Sequence, residues 1–313
     1  MTPYTLRLCC LSLAVWFIVQ SCLGVLIRFC LPRLTPLAER FDPSRAATVF
    51  LLLRWLPAGC GLFVAACLCV PTYLRFEPLA SEEEMGLACV TLACLAAFSY
   101  AIPFARTVFS LAQSEMRLRE LLRDAEEQAG VCVIRKASPS MALVGFFHSR
   151  VLVSREVMEL LPFDQMDAAL RHERAHREAG DNVKRLLLQL APLDGSGRKL
   201  KAAWARFTEW AADDRATEGD GPRSVALASA LVSVARLTSP ECLAHASMLV
   251  HPDGRDLRVR VERLLEPSSR PTRRFPMMAI AAAAGVLAAL VTSIAQQPAL
   301  AALVHDLLEA LVD

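Results

Sequence analysis

The sequence predicts a mainly α-helical, polytopic membrane protein with four transmembrane helices and one polar domain that carries a small β-sheet. Of its 313 residues, 54% are hydrophobic and only 21% are charged, which is too apolar for an ordinary soluble domain. The apolar residues concentrate in four blocks and leave one polar segment of about 165 residues, long enough to bury a core of its own. We therefore divide the chain into three transmembrane helices (residues 1–111), a polar domain (112–275), a fourth transmembrane helix (276–294) and a short tail (295–313).

The first apolar run, residues 8–27, lies between Arg7 and Arg28. About 20 apolar residues suffice to cross the hydrocarbon core as a helix, so this run is long enough to span it. The alternative is a cleavable signal peptide, but the apolar run is too long for one, and residues 29–32 offer no small-x-small cleavage site. We therefore interpret the run as a retained transmembrane helix.

Three further runs have the length and composition of transmembrane helices. The second, residues 46–73, holds Arg54 near one end, from where its side chain could reach the membrane interface. The third, residues 85–111, contains Pro103, which predicts a kink that neighbouring helices can tolerate. The fourth, residues 276–294, is rich in alanine.

The distribution of positive charge predicts the orientation in the membrane. Arginines are concentrated between the first two runs, after the third and before the fourth, whereas the other loop is acidic and the tail after Ile294 has no Lys or Arg. Since Lys and Arg stay on the cytoplasmic side, both termini are predicted to be extracytoplasmic and the polar domain cytoplasmic, at the inner (cytoplasmic) membrane of the cell. Residues 300–312 have leucines at helical intervals, which predicts an amphipathic helix on the outer membrane surface, against a partner or, more simply, against the chain's own spans.

Charge and cysteine content argue against two kinds of site. The net charge of +2 is near neutral, which argues against direct binding of nucleic acid. Nine of the eleven cysteines lie in or at the ends of apolar runs, where they are expected to be small buried hydrophobes. Only Cys132 and Cys242 fall in the polar segment, and no C-x-x-C spacing occurs, so metal ligation by cysteine is not expected.

The polar domain begins with a charged helix pattern, residues 114–129, which continues the third run and is expected to end at Gly130. Short apolar runs at residues 131–135, 141–146 and 150–153 predict a small sheet. Asp164 and Asp167 have the spacing of a capping box for a helix that reaches about Leu190. After a break containing Gly and Ser, a further helix is predicted from about residue 198 to 217.

The first of these two helices contains an H-E-x-x-H pattern formed by His172, Glu173 and His176. Residues four apart on a helix lie one above the other, so both imidazoles can reach the same point and supply half of a tetrahedral zinc site. The carboxylate of Glu173 lies beside them and could take a proton from water at the metal. The alternative is a solvated, charged helix face, since arginines surround the motif.

The second of these helices carries candidate carboxylates. Glu209 and Asp213 are four residues apart and therefore lie on one face. A catalytic zinc needs a third protein ligand, and its histidines need hydrogen-bond acceptors that fix their tautomers. Glu209 suits the first role, and Asp213 or Asp214 suits the second. Without the H-E-x-x-H motif, a surface helix with i,i+4 charge pairs would be the preferred interpretation.

This combination of motifs resembles a known family. H-E-x-x-H followed by a helix with E-x-x-x-D is the gluzincin arrangement, and with three spans before the domain and one after it the chain resembles the BlaR/MecR-type membrane zinc metallopeptidases. Further segments that resemble this family are residues 142–146, 151–153, Asp181–Asn182 and 257–265. The resemblance extends from the first span through Ile294.

The resemblance implies a cytoplasmic, gluzincin-like α+β metalloprotease domain with one Zn²⁺ per chain. It assigns His172, His176 and Glu209 as metal ligands, Glu173 as general base, Asp213 as an acceptor for a ligand histidine, and Asp181 as a structural or supporting residue. Positions 171 and 174 are Arg here although they are usually apolar in such helices, which implies an exposed helix back or an acidic neighbour. The family's antibiotic receptors have a large extracellular sensor after the last span where this chain has residues 295–313, so beta-lactam sensing by this chain alone is not expected, and a separate partner could supply a sensor.

The expected function is zinc-dependent hydrolysis of peptide bonds on the cytoplasmic side, in signal-dependent proteolysis of a repressor or other regulator. The strand with Ala142, Leu143, Val144 and Gly145 could hold the substrate as an added edge strand, and an ordinary core strand is an equal alternative. Two other functions stay open: a quality-control membrane protease of the HtpX type, and a catalytically inactive signalling scaffold in the membrane. The expected partners are a protein or peptide substrate and the lipid bilayer.

Overall fold

The computed structural model is mostly helical and describes residues 3–77, 86–123, 125–128, 131–134, 141–145, 149–237, 254–266, 285, 289, 291–294 and 296–312. The first two long helices are α1 (Pro3–Ala38) and α2 (Pro43–Val64). A single π-helical stretch, Ala65–Cys69, joins α2 to α3 (Val70–Phe76), and α4 (Leu87–Arg123) follows. Three segments, Tyr4–Ala38, Pro43–Phe76 and Leu87–Arg123, are long and apolar enough to cross a membrane.

The first two segments contain the predicted spans 8–27 and 46–73, and the third covers residues 87–111 of the predicted span 85–111 and continues to Arg123. They pack closely: Trp16 on α1 donates a hydrogen bond to the carbonyl of Ala58 at 2.9 Å, and a Cβ at Gly61 would lie 2.7 Å from the Trp16 ring. Large apolar side chains such as Phe29 and Leu62 are exposed on the outside of the bundle. An apolar exterior is what a lipid environment requires.

The predicted helix over residues 114–129 is correct only as far as Arg123. Glu126–Gln128 forms the first strand, β1, which pairs antiparallel with β2 (Val131–Ile134). The chain therefore leaves the helix before the predicted stop at Gly130, because these residues pair with the neighbouring strand. Local helix propensity is a weak preference that such tertiary pairing overrides.

The predicted small sheet is present and mixed. Its other strands are β3 (Met141–Val144) and β4 (Arg150–Ser154), and the strand order is β1-β2-β4-β3, with β2 and β4 parallel and β3 and β4 antiparallel. Cys132, Ile134 and Leu152 on one face pack against the end of α4. The other face packs against helices of the polar domain. Among the described strands, β3 lies at an edge of the sheet.

The predicted metal-motif helix is two helices. After α5 (Arg155–Leu160), α6 runs from Phe163 to Ala179 and α7 from Asp181 to Leu190. Gly180 between them has φ +67°, a left-handed conformation that ends the first helix. The predicted cap at Asp164 is also wrong: Pro162 precedes the helix and makes no side-chain cap.

The remaining described helices complete the polar domain and the tail. They are α8 (Gly197–Thr217), α9 (Gly221–Leu237), α10 (Gly254–Leu265) and α11 (Pro298–Val312). The α8 helix confirms the helix predicted for residues 198–217. The α11 helix packs against α3 and α4, with His305 stacked on Phe76 at 5.5 Å. This agrees with the simplest of the interpretations of the tail. Residues 276–284, 286–288 and 290 of the predicted fourth span lie outside the described residues, so that span stays a prediction.

The loop between α7 and α8 enters the bundle of long helices. There Asp194 accepts a hydrogen bond from Arg54 at 2.7 Å, and the N–H of Leu193 donates to the carbonyl of Ser99 at 2.8 Å. Arg54 also donates to the carbonyl of Ala191 at 2.9 Å and is buried. The prediction that Arg54 reaches the membrane interface is therefore wrong, because this loop supplies its partners inside the bundle.

Candidate metal centre

Three predicted ligands, His172, His176 and Glu209, meet at one point of the polar domain. Each offers one ligand atom, and these atoms all lie within 4.8 Å of one another. The Nε2 atoms of the two histidines are 3.1 Å apart, and the carboxylate oxygens of Glu209 lie 3.5 Å from Nε2 of His172 and 3.7 Å from Nε2 of His176. Tetrahedral zinc with bonds of about 2.0–2.1 Å separates its ligand atoms by about 3.4 Å, so these three positions fit one zinc ion.

Helix geometry explains how α6 presents the motif. His172, Glu173 and His176 occupy its buried face together with Ala168 and Ala169, while Arg174 and Arg177 lie on its exposed face. The arginine at position 171, half-exposed, has the acidic neighbour expected of it, since its Nε donates to Asp167 at 2.8 Å. The unusual arginines therefore do not disturb the ligand face.

Both histidines have a carboxylate at the ring nitrogen that points away from the other. Asp181 lies 2.8 Å from Nδ1 of His176 and forms a hydrogen bond with it. Asp213 lies 3.0 Å from Nδ1 of His172, close but without the alignment of a full hydrogen bond. Such acceptors keep the proton on Nδ1 and leave Nε2 free for a metal.

The structure thereby places two residues whose roles the sequence left open. Asp181 begins α7 directly after the left-handed Gly180, and that turn brings its carboxylate back to His176. Of the two alternatives on α8, Asp213 is buried beside His172, whereas Asp214 is partly exposed and binds Arg263 at 2.6 Å.

The two facing Nε2 atoms create a demand for positive charge. If each Nδ1 carries a proton, both Nε2 atoms are acceptors, and a cation or an extra proton must lie between them. Burial lowers the pKa of His176, but the charge of Glu209 and the hydrogen bond with Asp181 raise it to about 10. The same kind of carboxylate contacts raise the pKa of His172 above its ordinary value against the effect of burial. The carboxylates around the two imidazoles therefore favour positive charge at this position.

Glu173 follows His172 on α6 and is not among the three residues whose ligand atoms meet. It is buried, and it is hydrogen-bonded to the backbone of Leu143 on β3. Burial raises its pKa above 4.5, an effect that the two neighbouring histidines oppose. A carboxylate with a raised pKa is a stronger base than an ordinary one.

The sequence analysis missed Arg260, which α10 places in the centre of the site. Its guanidinium donates to Asp213 at 2.7 and 2.9 Å and lies 3.0 Å from Glu209 and 3.5 Å from Nε2 of His172. Burial raises the pKa of Asp213, but Arg260 outweighs that effect and holds it at about 2. The pKa of Glu209 is likewise held well below its usual range, chiefly by Arg260.

A sequence signal for Arg260 does exist. On α10 the side chains that pack into the domain core are Leu257, Val261 and Leu264, and residue 260 lies on the same helical face. An arginine on an apolar face needs a buried counter-charge. The counter-charge lies 47 residues upstream, so its identity could not be read from α10 alone.

The predicted substrate strand lies beside the site. Leu143 is buried and contacts Glu173 through its backbone, while the side-chain amide of Asn182 donates to the carbonyls of Leu143 at 3.3 Å and Gly145 at 2.7 Å. Ala142 is buried and Val144 is partly buried. A substrate strand would have to add alongside or displace these contacts, and its binding there stays a prediction.

Comparison of this chain with protein-family models, with curated proteins and with solved structures found no match. The likeness to BlaR/MecR-type metallopeptidases therefore stays an expectation from the sequence motifs.

Proposed function

We propose that this protein is a membrane-bound, zinc-dependent endopeptidase that hydrolyses peptide bonds on the cytoplasmic side. The observation that carries the proposal is the meeting of His172, His176 and Glu209, whose ligand atoms lie within 4.8 Å of one another. Two imidazoles and a carboxylate are the ligand set of many catalytic zinc sites, which leave the fourth position to water or substrate.

Zinc in this position would lower the pKa of water to about 7 and polarise a substrate carbonyl. Asp181 and Asp213 hold the ligand histidines in the tautomer that exposes Nε2. Arg260 keeps Glu209 ionised, as a metal ligand must be. The buried guanidinium of Arg260 also offsets part of the negative charge of the ligands, and the remaining charge suits one divalent cation.

Glu173 moves the proton in the proposed reaction. Its carboxylate takes a proton from the attacking water as the new carbon–oxygen bond forms, and returns it to the amine nitrogen as the peptide C–N bond breaks. The raised pKa suits the first transfer, because a carboxylate with a raised pKa is the stronger base, and it keeps the proton on the carboxyl group until the amine nitrogen accepts it. We assign no separate donor to the developing oxyanion.

The arginine distribution supports a cytoplasmic site, and a cytoplasmic site suits proteolysis of a repressor or another regulator. The activating signal would then reach the protease through the bilayer or through a sensor partner. A quality-control protease of the HtpX type would share the same chemistry and differ in accepting many substrates. A catalytically inactive scaffold would not require side chains arranged as metal ligands.

The test compares the purified full chain with Glu173→Ala, measuring bound zinc and cleavage of co-expressed proteins. The proposal predicts that Glu173→Ala retains zinc and loses cleavage by at least a hundredfold, because the residue acts as base and not as ligand. Glu178→Ala is the matched control, since Glu178 lies on the exposed face of the same helix. Equal cleavage by wild type and Glu173→Ala would reject the proposed mechanism.

A further inference from the structure

The helix that carries Glu209 and Asp213 runs beside the second long apolar helix over much of its length. Three contacts fix their antiparallel register. Asp194, just before α8, binds Arg54; the rings of Phe207 and Phe50 stack at 5.3 Å; and Arg215 donates to Ser44 at 3.2 Å.

This register gives the height of the metal centre along α2. Glu209 and Asp213 lie between Phe207 and Arg215, and therefore level with residues 44–50 of α2. The apolar run of that helix begins at Ala46. The two apolar runs put the start of the hydrocarbon layer between the level of Ala46 and the level of Arg28 and Arg54. At about 1.5 Å per helical residue, the metal ligands then lie within about 15 Å of that start.

The loop at the tip of the α7–α8 hairpin reaches further into the apolar region. The side chain of Asp194 packs against Gly24 of α1, where a Cβ would lie 3.0 Å from the Asp194 Cβ. Gly24 precedes Arg28, the residue that ends the first apolar run. Asp194 is almost fully buried and paired with Arg54, so its charge is not presented to lipid.

We infer that the substrates of this site are polypeptides anchored in the membrane, cut in the segment that directly follows the anchor. The inference rests on the proposed peptidase function and names its substrate class. An extended chain advances about 3.3 Å per residue, so a bond within about 15 Å of the hydrocarbon layer lies about five residues or fewer from a membrane-embedded segment. Hydrolysis there adds water across one C–N bond and leaves one product in the membrane and one free.

Anchoring also supplies the concentration that a site at this height requires. A chain tethered in the same bilayer meets the site at a raised effective concentration, whereas a freely diffusing protein must approach the headgroup layer. The geometry therefore favours regulators that are anchored in the membrane over freely diffusing ones.

The first test measures the height of the metal without using activity. The full chain is placed in lipid nanodiscs that carry a fluorophore on the lipid headgroup, and Co²⁺ is titrated as the probe. Quenching that saturates at one Co²⁺ per chain and is lost in His176→Ala is the expected result. Stoichiometric Co²⁺ binding that leaves the headgroup fluorophore unquenched would overturn the inference, and absence of stoichiometric binding would count against the proposed function instead.

The second test uses one unstructured probe segment of reduced casein in three forms, with the full chain in liposomes. The segment is free, attached directly to a single transmembrane helix, or attached through a stiff 20-residue proline-rich spacer that lifts it by about 60 Å. We expect the direct fusion to be cut at least tenfold faster than the lifted one, although both share the same tether. Equal cutting of both would overturn the inference and leave the peptidase intact. Failure to cut any form by zinc-loaded protein would count against the peptidase function itself.

Discussion

Replacing Arg260 by alanine tests how the site holds its charges. Arg260 is buried and makes two hydrogen bonds to Asp213 and a 3.0 Å contact with Glu209. The pKa of Asp213, held at about 2 in place of 3.8, corresponds to about 2 kcal/mol of stability at neutral pH. That stability is present above pH 3.8 and lost as the pH falls toward 2. Removing one partner of a buried pair typically costs about 3–5 kcal/mol, because the other charge is left buried.

The assay is thermal unfolding of the detergent-solubilised full chain in EDTA at pH 7. We expect Arg260→Ala to lower the melting temperature by on the order of 10 °C, and Arg260→Lys to fall between it and wild type because lysine keeps the charge without the forked geometry. Arg258→Ala is the control on the same helix, since its side chain is 81% exposed, and it should melt with wild type. Bound zinc should make the drop in melting temperature of Arg260→Ala smaller, because the cation offsets the negative charge of Glu209. A melting temperature of Arg260→Ala equal to wild type in EDTA would refute this account of the buried charges.

Three further predictions follow from other contacts. Asp181→Asn should weaken zinc binding by about 10–100-fold, because His176 loses its charged hydrogen-bond acceptor. A competition titration with a chelator measures this, and an unchanged affinity would show that the contact does not support the ligand. Cleavage should fall as the pH drops through a pKa above 4.5, because burial raises the pKa of Glu173 and the base must be ionised; a pH profile with its acid limb at or below 4.5 would contradict this. Arg54→Ala should destabilise the full chain by about 3–5 kcal/mol in thermal unfolding, because Asp194 stays buried without its partner, whereas the exposed Arg174→Ala should not.

The elements that depend on local pattern could be predicted from the sequence. The three apolar helices, the strands near residues 131, 141 and 150, and the helix from Gly197 to Thr217 follow from hydrophobic period and turn residues. The convergence of His172 and His176 follows from helix geometry alone. These features involve residues that are close in sequence.

Most of the wrong or missed predictions concern residues whose conformation or pairing depends on segments that are far away in the sequence. Glu126–Gln128 was predicted as part of a helix because the sequence of this segment does not reveal the strand with which it pairs. Gly180 divides a helix that periodicity makes continuous, and only the contact of Asp181 with His176 shows why the break matters. Arg54 and Arg260 have counter-charges 140 and 47 residues away, so neither pairing could be read from the residues around it.

The most direct test of the central claim is zinc-edge X-ray absorption of the purified, zinc-loaded full chain. The account predicts one zinc per chain with two imidazole nitrogens and oxygen ligands at about 2.0–2.2 Å, and loss of that signal in His172→Ala. The clearest alternative is that zinc binds to some of the eleven cysteines instead. A sulfur shell at about 2.3 Å, or no stoichiometric zinc at all, would contradict a metal centre formed by His172, His176 and Glu209.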